Sequence, residues 1–147
     1  NNPEVARMPA VPLFAGLVVD EFDQSVKVAY VGDEPCYVVN DAGFQRHIPC
    51  EQVDRQVLQQ MGQLVEGHED LLAEQTAKML GQEDIFSRAI IENQLKNLDQ
   101  QFEAVLKTGI PEEGRAYMGM LGFRVLVNTH GQVVRLDMPE QSEDFDE

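Results

Sequence analysis

Side chains that commonly bind zinc fall close together in the first third of the chain. His47 lies three residues before Cys50, and Cys36 lies in the run expected to form the neighbouring strand. One imidazole and two thiols approach the ligand set of a zinc site, which needs a fourth ligand. The chain has no Cys-x-x-Cys, and a carboxylate or His130 would have to complete the set. We therefore expect no metal and no cofactor. If a zinc ion were bound, Cys36, His47 and Cys50 would be the candidate ligands.

Nucleophilic catalysis has Cys50 as its main candidate, because this thiol lies near the predicted start of a helix. A thiolate is favoured at a helix start, but the neighbouring Glu51 and Asp54 oppose this effect. None of the serines lies in a Gly-x-Ser-x-Gly setting. The sequence therefore predicts no catalytic residue and argues against an enzyme.

Polar and aromatic side chains elsewhere could instead form a binding cleft. Arg115 and Tyr117 lie among glycines whose spacing matches neither the P-loop nor the dinucleotide-binding pattern. If the sheet and the helices enclose a cleft, five side chains are candidates for ligand binding. These are Tyr37, His47, Arg115, Tyr117 and Arg124.

The elements that must position these residues begin with short strands. Val26, Val28 and Tyr30 alternate with polar or small residues, which is typical of a half-buried antiparallel strand. Turn sequences rich in Gly, Asp, Asn and Pro separate this run from its neighbours. The sequence predicts an N-terminal antiparallel β-meander with strands over 14–22, 25–31, 36–39 and 44–48.

Helical periodicity replaces strand alternation after Pro49. Apolar residues recur at steps of three and four over 53–80 and again over 85–106. Gly81 and Gly109 follow these two stripes at positions that commonly close a helix. Because the link between the stripes is so short, the two helices must lie antiparallel. The sequence predicts a long central helical hairpin.

The last part of the chain returns to strands. A short helix over 111–121 precedes two β-rich runs, 123–128 and 132–136, which read as a closing β-hairpin. We expect this hairpin to complete one sheet with the meander. The order of meander, helical hairpin and β-hairpin predicts an α+β fold.

These elements define the predicted domain organisation. Residues 1–13 form an N-terminal arm, and residues 14–139 form a single α+β domain. Its parts are the meander over 14–48, the helical hairpin over 50–107, and the short helix with the β-hairpin over 111–137. Residues 140–147 carry five acidic side chains and form an acidic tail that we expect to be solvated.

The length of the first predicted helix leaves two interpretations open. A helix over 51–80 would be about 45 Å long, whereas a compact chain of 147 residues is about 38 Å across. Gly62 and Gly67 could break the helix, with Glu69 and Asp70 starting a new segment. Alternatively, the hairpin projects and packs on a second copy as a four-helix bundle.

The surplus of aliphatic residues on the hairpin favours the second interpretation. Both the 57/64/71 series and the 58/65/72 series are apolar. We therefore expect a homodimer whose interface contains Val57, Leu64, Leu71, Leu95, Leu98 and Phe102.

Composition excludes several classes of partner. The 147 residues include 26 acidic and 11 basic side chains, which gives a formal net charge of −15. Nucleic acid and anionic membranes attract positive surfaces, so neither is expected as a partner. The two cysteines fit a reducing compartment. No apolar stretch approaches the ~18 residues of a membrane span, and no signal segment is evident. We expect a cytoplasmic location.

Taken as a whole, these patterns favour a small acidic homodimer that works through protein–protein contacts. The alternative is a small-molecule-binding protein or an enzyme with a cleft between sheet and helices, and a deep pocket lined by two or more of the five candidates would support it. A third hypothesis is an acidic mimic of nucleic acid that occupies a basic groove of another protein.

Overall fold

The computed structural model describes residues 10–138, and this range forms an α+β fold with five helices and two three-stranded sheets. The strands are β1 (Val18–Val19), β2 (Lys27–Val31), β3 (Glu34–Asp41), β4 (Phe44–Pro49), β5 (Arg124–Val127) and β6 (Val133–Asp137). The helices are α1 (Cys50–Val65), α2 (Glu69–Met79), α3 (Ile85–Lys96), α4 (Leu98–Thr108) and α5 (Glu112–Met120). The α+β class and the order of its parts confirm the sequence prediction. The acidic tail 140–147 and residues 1–9 of the predicted arm lie outside the described residues.

The chain divides into two compact units. One unit, here called the sheet unit, combines the segment that ends at Val57 with the segment that begins at Val105. The other, here called the helical unit, comprises Leu58–Ala104. Both sheets and α5 belong to the sheet unit, whereas α2 and α3 belong to the helical unit.

The meander is confirmed for its last three strands. β2, β3 and β4 pair antiparallel in sequence order, and Tyr37 on β3 faces Val28 on one side and Ile48 on the other. The turn between β3 and β4 is closed by the Asn40 side chain, which accepts a hydrogen bond from the Gly43 amide at 2.8 Å. This side-chain turn fixes the register of the hairpin.

The strand predicted over 14–22 is wrong in extent, because only Val18 and Val19 of that run form a strand. Its main partner was not predicted, since both residues pair parallel with Val125 and Leu126 of β5. The expected antiparallel contact with the next run is reduced to a bridge between Val19 and Ser25, beside the Val26 amide, which donates to the Val18 carbonyl at 2.9 Å. The predicted run ends early because the Asp20 side chain accepts hydrogen bonds from the amides of Phe22 and Gln24, each at 2.9 Å. A carboxylate that bonds to amides two and four residues ahead forms a turn rather than a strand.

The closing hairpin therefore belongs to a second sheet. β5 and β6 form the predicted antiparallel pair, but the sheet order is β1-β5-β6, separate from β2-β3-β4. The expectation of one common sheet is corrected by this pairing. The parallel contact with β1 starts at the Val125 amide, which donates to the Leu17 carbonyl at 2.9 Å.

Buried aliphatic and aromatic side chains from both sheets and α1 form the core of the sheet unit. The rings of Phe14 and Phe123 lie 5.5 Å apart, and Val53, Val57 and Val125 have no exposed surface. Val53 and Val57 are four residues apart, so they lie on one face of α1.

The first predicted helix is two helices, as the first interpretation of its length required. α1 ends at Val65 and α2 begins at Glu69, with Gly67 between them at φ +86°. A left-handed conformation at that angle favours glycine and cannot continue a right-handed helix. The second predicted helix also divides, because Asn97 (φ −118°, ψ 40°) separates α3 from α4. The helix predicted over 111–121 is confirmed as α5.

Within residues 10–138, every helix is too short or too polar to cross a membrane.

Candidate functional site

Tyr37 belongs to a closed hydrogen-bond network in the core of the sheet unit. Its hydroxyl donates to Oδ1 of Asp54 at 2.7 Å and accepts from the Phe14 amide at 3.2 Å. Oδ2 of Asp54 accepts from the Leu13 amide at 2.9 Å. Both side chains have no exposed surface. The expectation that Tyr37 contacts a ligand is therefore wrong, because the residue joins β3, α1 and the segment before β1.

Burial governs the protonation of this network. It raises the pKa of Asp54 to about 7, although the Leu13 amide and the Tyr37 hydroxyl lower that pKa through their hydrogen bonds. Burial also raises the pKa of Tyr37, and the neighbouring Asp54 charge adds to the effect. The network is a structural tie whose carboxyl group titrates near neutral pH.

Both cysteines are free thiols in the core. Cys36 and Cys50 are 2% and 0% exposed. Burial raises the pKa of Cys50, and the charge of Asp54 raises it further, as expected from the sequence. Burial likewise raises the pKa of Cys36. A buried thiol that resists ionisation is a poor nucleophile.

The three candidate zinc ligands are not brought together. His47 is exposed on β4, where Nδ1 lies 3.2 Å from the Gln45 carbonyl oxygen, while Cys36 and Cys50 are buried. Among residues 10–138, no three His, Cys, Asp or Glu side chains are grouped so as to hold a metal ion.

Arg115 and Arg124, in contrast, meet at one open cleft in the sheet unit. The cleft has a volume of about 430 Å³ and lies beside α5. Its other lining residues are Ala15, Gly16, Leu17, Glu112, Ala116 and Gly119. Two of the five ligand candidates are therefore together, whereas Tyr117 is 60% exposed on α5 and is not part of the lining.

The helical unit presents a second candidate site, which we call the apolar surface. Seven large apolar side chains of this fully described unit are 54% to 82% exposed. They are Leu64, Leu71, Met79, Leu80, Ile85, Phe86 and Ile90. Four of them flank the link over 81–84, with Met79 at 82% before it and Ile85 and Phe86, each at 78%, after it.

The local sequence explains why these side chains are left exposed. α2 buries only its small residues Ala73 and Ala77, and no residue of α3, Ile85–Lys96, is buried. Asp84 begins α3 by accepting a hydrogen bond from the Ser87 amide at 3.0 Å. This capping fixes Ile85 and Phe86 in the first turn.

Ion pairs within the helical unit connect α2 with α3 and also form along α3. Arg88 Nη2 is 2.8 Å from Oδ1 of Asp70 and 4.0 Å from Oε1 of Glu74. Lys96 pairs with Glu92 at 3.2 Å, one turn apart along α3. Arg88 and Lys96 therefore pair with acidic side chains of the same unit, whereas its seven large apolar side chains are exposed to solvent.

The predicted dimer interface is partly compatible with this arrangement. Leu64 and Leu71 are 58% and 54% exposed, and Leu95, Leu98 and Phe102 are half-buried. Val57 is an exception, because its exposure is 0% within a single chain. Val57 is corrected from an interface residue to a core residue of the sheet unit.

Comparison with protein-family models, curated proteins and solved structures finds no match for the chain. The two candidate sites are therefore argued from their own geometry.

Sequence reasoning missed the role of Asp54 and the exposure of Met79 to Phe86. The sequence identified Asp54 only as a negative charge near Cys50, and only the fold places its carboxyl against Tyr37. Met79 and Phe86 continued the apolar periodicity of the helices, which predicts burial. A signal was available in Ala73 and Ala77, because small residues bury little surface when they form the contact between two helices.

Proposed function

We propose that this protein acts through protein–protein contacts and forms a homodimer through its helical unit. The observation that carries the proposal is the apolar surface, in which seven large side chains are more than half exposed. Four of these side chains, Met79, Leu80, Ile85 and Phe86, flank the short link over 81–84, and exposed apolar patches commonly mark interaction sites. Met and Phe, which include the most exposed members here, are enriched at protein interfaces.

The weak interior of the helical unit supports the same proposal. Leu58 is the only large apolar side chain of Leu58–Ala104 that is buried, and the other buried residues are Ala73 and Ala77. Fully burying a Leu, Ile, Phe or Met side chain contributes about 1.5–3 kcal/mol. Covering the apolar surface with a second copy supplies this contribution, and helix pairs commonly associate in this way as four-helix bundles.

An isologous contact between two copies also determines how salt acts on the assembly. The helical unit has nine acidic side chains and three basic ones, which are Lys78, Arg88 and Lys96. Two copies therefore repel each other, and salt screens this repulsion. A basic partner would instead be attracted at low salt and released as the salt concentration rises.

The test is sedimentation velocity on two matched variants. Phe86→Glu places a charge on the apolar surface, and Phe22→Glu places the same charge on the sheet unit, where Phe22 is 81% exposed. Both substitutions affect exposed side chains, so neither is expected to unfold the chain. We expect Phe86→Glu to weaken dimerisation at least tenfold, because the interface would bury an unpaired charge, and Phe22→Glu to dimerise like the wild type. Equal dimerisation of both variants would contradict this interface.

We also propose a cytoplasmic location for the protein. The free, buried thiols of Cys36 and Cys50 support it, since disulfides persist mainly in oxidising compartments. Fractionation of cells that express the tagged protein tests the proposal. We expect both the protein and its unmodified thiols in the cytoplasmic fraction, and recovery of the protein from an exported fraction would overturn the proposal.

A further inference from the structure

Four of the six arginines within residues 10–138 have a carboxylate partner. The pairs are Arg46–Asp41, Arg55–Glu51, Arg88–Asp70 and Arg135–Asp137, with N–O distances of 2.6–2.8 Å. The other two, Arg115 and Arg124, have no carboxylate oxygen of the described residues within 4.0 Å. In a chain with 26 acidic side chains, it is notable that both arginines line the same cleft.

Backbone carbonyls hold these two guanidinium groups in place. Arg115 donates from Nε to the Ala15 carbonyl at 3.2 Å and from Nη1 to the Ile110 carbonyl at 2.6 Å. Arg124 donates from Nη1 to the carbonyls of Gly119 and Phe123, at 3.2 and 2.6 Å. A guanidinium has five N–H donors, so these bonds leave Nη2 and part of the remaining fork on each arginine available to a ligand.

Gly119 lies between Leu17 and Arg124 in the wall of the cleft. A Cβ at Gly119 would lie 3.0 Å from Cδ2 of Leu17 and 3.4 Å from Nη1 of Arg124. An added side chain would therefore crowd Leu17, whereas it would lie in ordinary van der Waals contact with the guanidinium. The position of Arg124 depends on its bonds to the carbonyls of Gly119 and Phe123.

The rest of the lining suits a small organic anion. Ala15, Leu17 and Ala116 supply apolar wall, and Gly16 leaves open space, because a Cβ there would have no atom within 4 Å. Glu112 is the one carboxylate of the described residues that lines the cleft. Its charge opposes an anionic ligand, which provides a way to test the site.

We propose that the cleft between Arg115 and Arg124 binds a small phosphate monoester, with the phosphate held by both guanidinium groups. Planar guanidinium forks bind phosphate through paired, charge-assisted hydrogen bonds. Two fixed cations match the double negative charge of a phosphate monoester better than the single charge of a carboxylate. The apolar wall of the cleft receives the carbon part of the ligand. This site lies within the sheet unit and does not depend on the proposed dimer.

The test is an NMR titration with glycerol phosphate and with succinate as the dicarboxylate comparison, at a constant ionic strength of about 150 mM. Saturable shifts of the Gly16, Ala116 and Gly119 amides and of the Arg115 and Arg124 Nε–H groups are expected with glycerol phosphate. We expect saturation below about 20 mM, which corresponds to a millimolar dissociation constant. Failure to saturate, or tighter binding of succinate, would overturn the assignment.

Charge variants locate the ligand. Arg124→Gln and Arg115→Gln should each weaken binding about tenfold, since each removes a charged hydrogen-bonding partner. Glu112→Gln should tighten binding about threefold by removing a repulsive charge. Glu113→Gln is the matched control. It removes the same charge one residue farther along the chain, at a position that does not line the cleft. Equal effects of Glu112→Gln and Glu113→Gln would overturn the site.

A steric variant keeps the test decisive if the arginine variants fail to fold. Ala116 is exposed, lies within α5 and makes none of the bonds that hold the arginines. Ala116→Leu fills the cleft with a residue that helices accept. Loss of the saturable shifts is expected in this variant, and unchanged affinity in a folded Ala116→Leu protein would contradict the proposal.

Discussion

Ionisation of Asp54 makes the stability of the fold depend on pH. Its carboxyl group is fully buried, and burial raises its pKa from 3.8 to about 7. The folded chain therefore holds a proton over a pH range in which the unfolded chain has lost it. The contribution of this group to the free energy of unfolding is largest below about pH 4 and is lost as the pH rises through about 7.

The Asp54→Asn variant tests this linkage. Between about pH 5.5 and pH 8.5, ionisation of Asp54 should lower the free energy of unfolding of the wild type by about 2 kcal/mol. The variant cannot ionise at this position and should lose that part of the pH dependence. Urea denaturation at a series of pH values measures both slopes.

The control for this experiment is Asp33→Asn, which removes an exposed carboxylate. It should retain the slope of the wild type. A wild-type curve that is flat between pH 5.5 and pH 8.5, or the same slope in Asp54→Asn, would show that Asp54 ionises normally in the fold.

Two glutamines of α1 tie this helix to the turn of the closing hairpin. Gln56 donates from Nε2 to the Gly131 carbonyl at 2.7 Å and accepts at Oε1 from the Val133 amide at 3.0 Å. Gln52 donates to the His130 carbonyl at 3.3 Å. The approach is close, since a Cβ at Gly131 would lie 2.6 Å from Nε2 of Gln52. Side chains thus fasten the second sheet to α1.

Gln56→Ala should destabilise the sheet unit by about 1–3 kcal/mol, because it leaves the Val133 amide and the Gly131 carbonyl without their partner. Gln63→Ala provides the control, since Gln63 is exposed on the same helix. Hydrogen exchange at the Val133 amide should rise in the first variant alone. Equal stability of the two variants would show that the glutamine bonds do not hold the hairpin.

The sequence predicted local elements well and their partners poorly. Alternation at Val26, Val28 and Tyr30 identified β2, and the option of a break near Gly67 anticipated the separation of α1 from α2. In contrast, the end of β1 depends on the hydrogen bonds that the Asp20 side chain accepts from the Phe22 and Gln24 amides, and its parallel pairing depends on residues over 100 positions away. Periodicity reports which face is apolar but does not report which strand lies beside it.

The same limit applies to the candidate sites. Arg115 was identified because it lies among glycines, and Arg124 because it could reach a cleft between sheet and helices; both line the cleft beside α5. Tyr37 was misassigned because an aromatic hydroxyl can serve either a ligand or a buried carboxylate such as Asp54. Which role applies depends on long-range packing.

At the scale of the whole molecule, charge and apolar surface have opposite effects. The net charge of −15 opposes association of two copies, whereas covering the apolar surface of the helical unit would favour the proposed dimer. Because the repulsion is screened by salt and apolar burial is not, the balance shifts toward association as ionic strength rises. This direction distinguishes a dimer of acidic chains from a complex with a basic partner.

Sedimentation equilibrium of the wild-type protein at about 20 mM and 300 mM salt tests the central claim most directly. We predict a species of about 33 kDa, twice the 16.5 kDa of the chain, at micromolar concentrations, with a dimer dissociation constant that falls as salt is added. A single species of 16.5 kDa across that concentration range at both salt concentrations would contradict the homodimer.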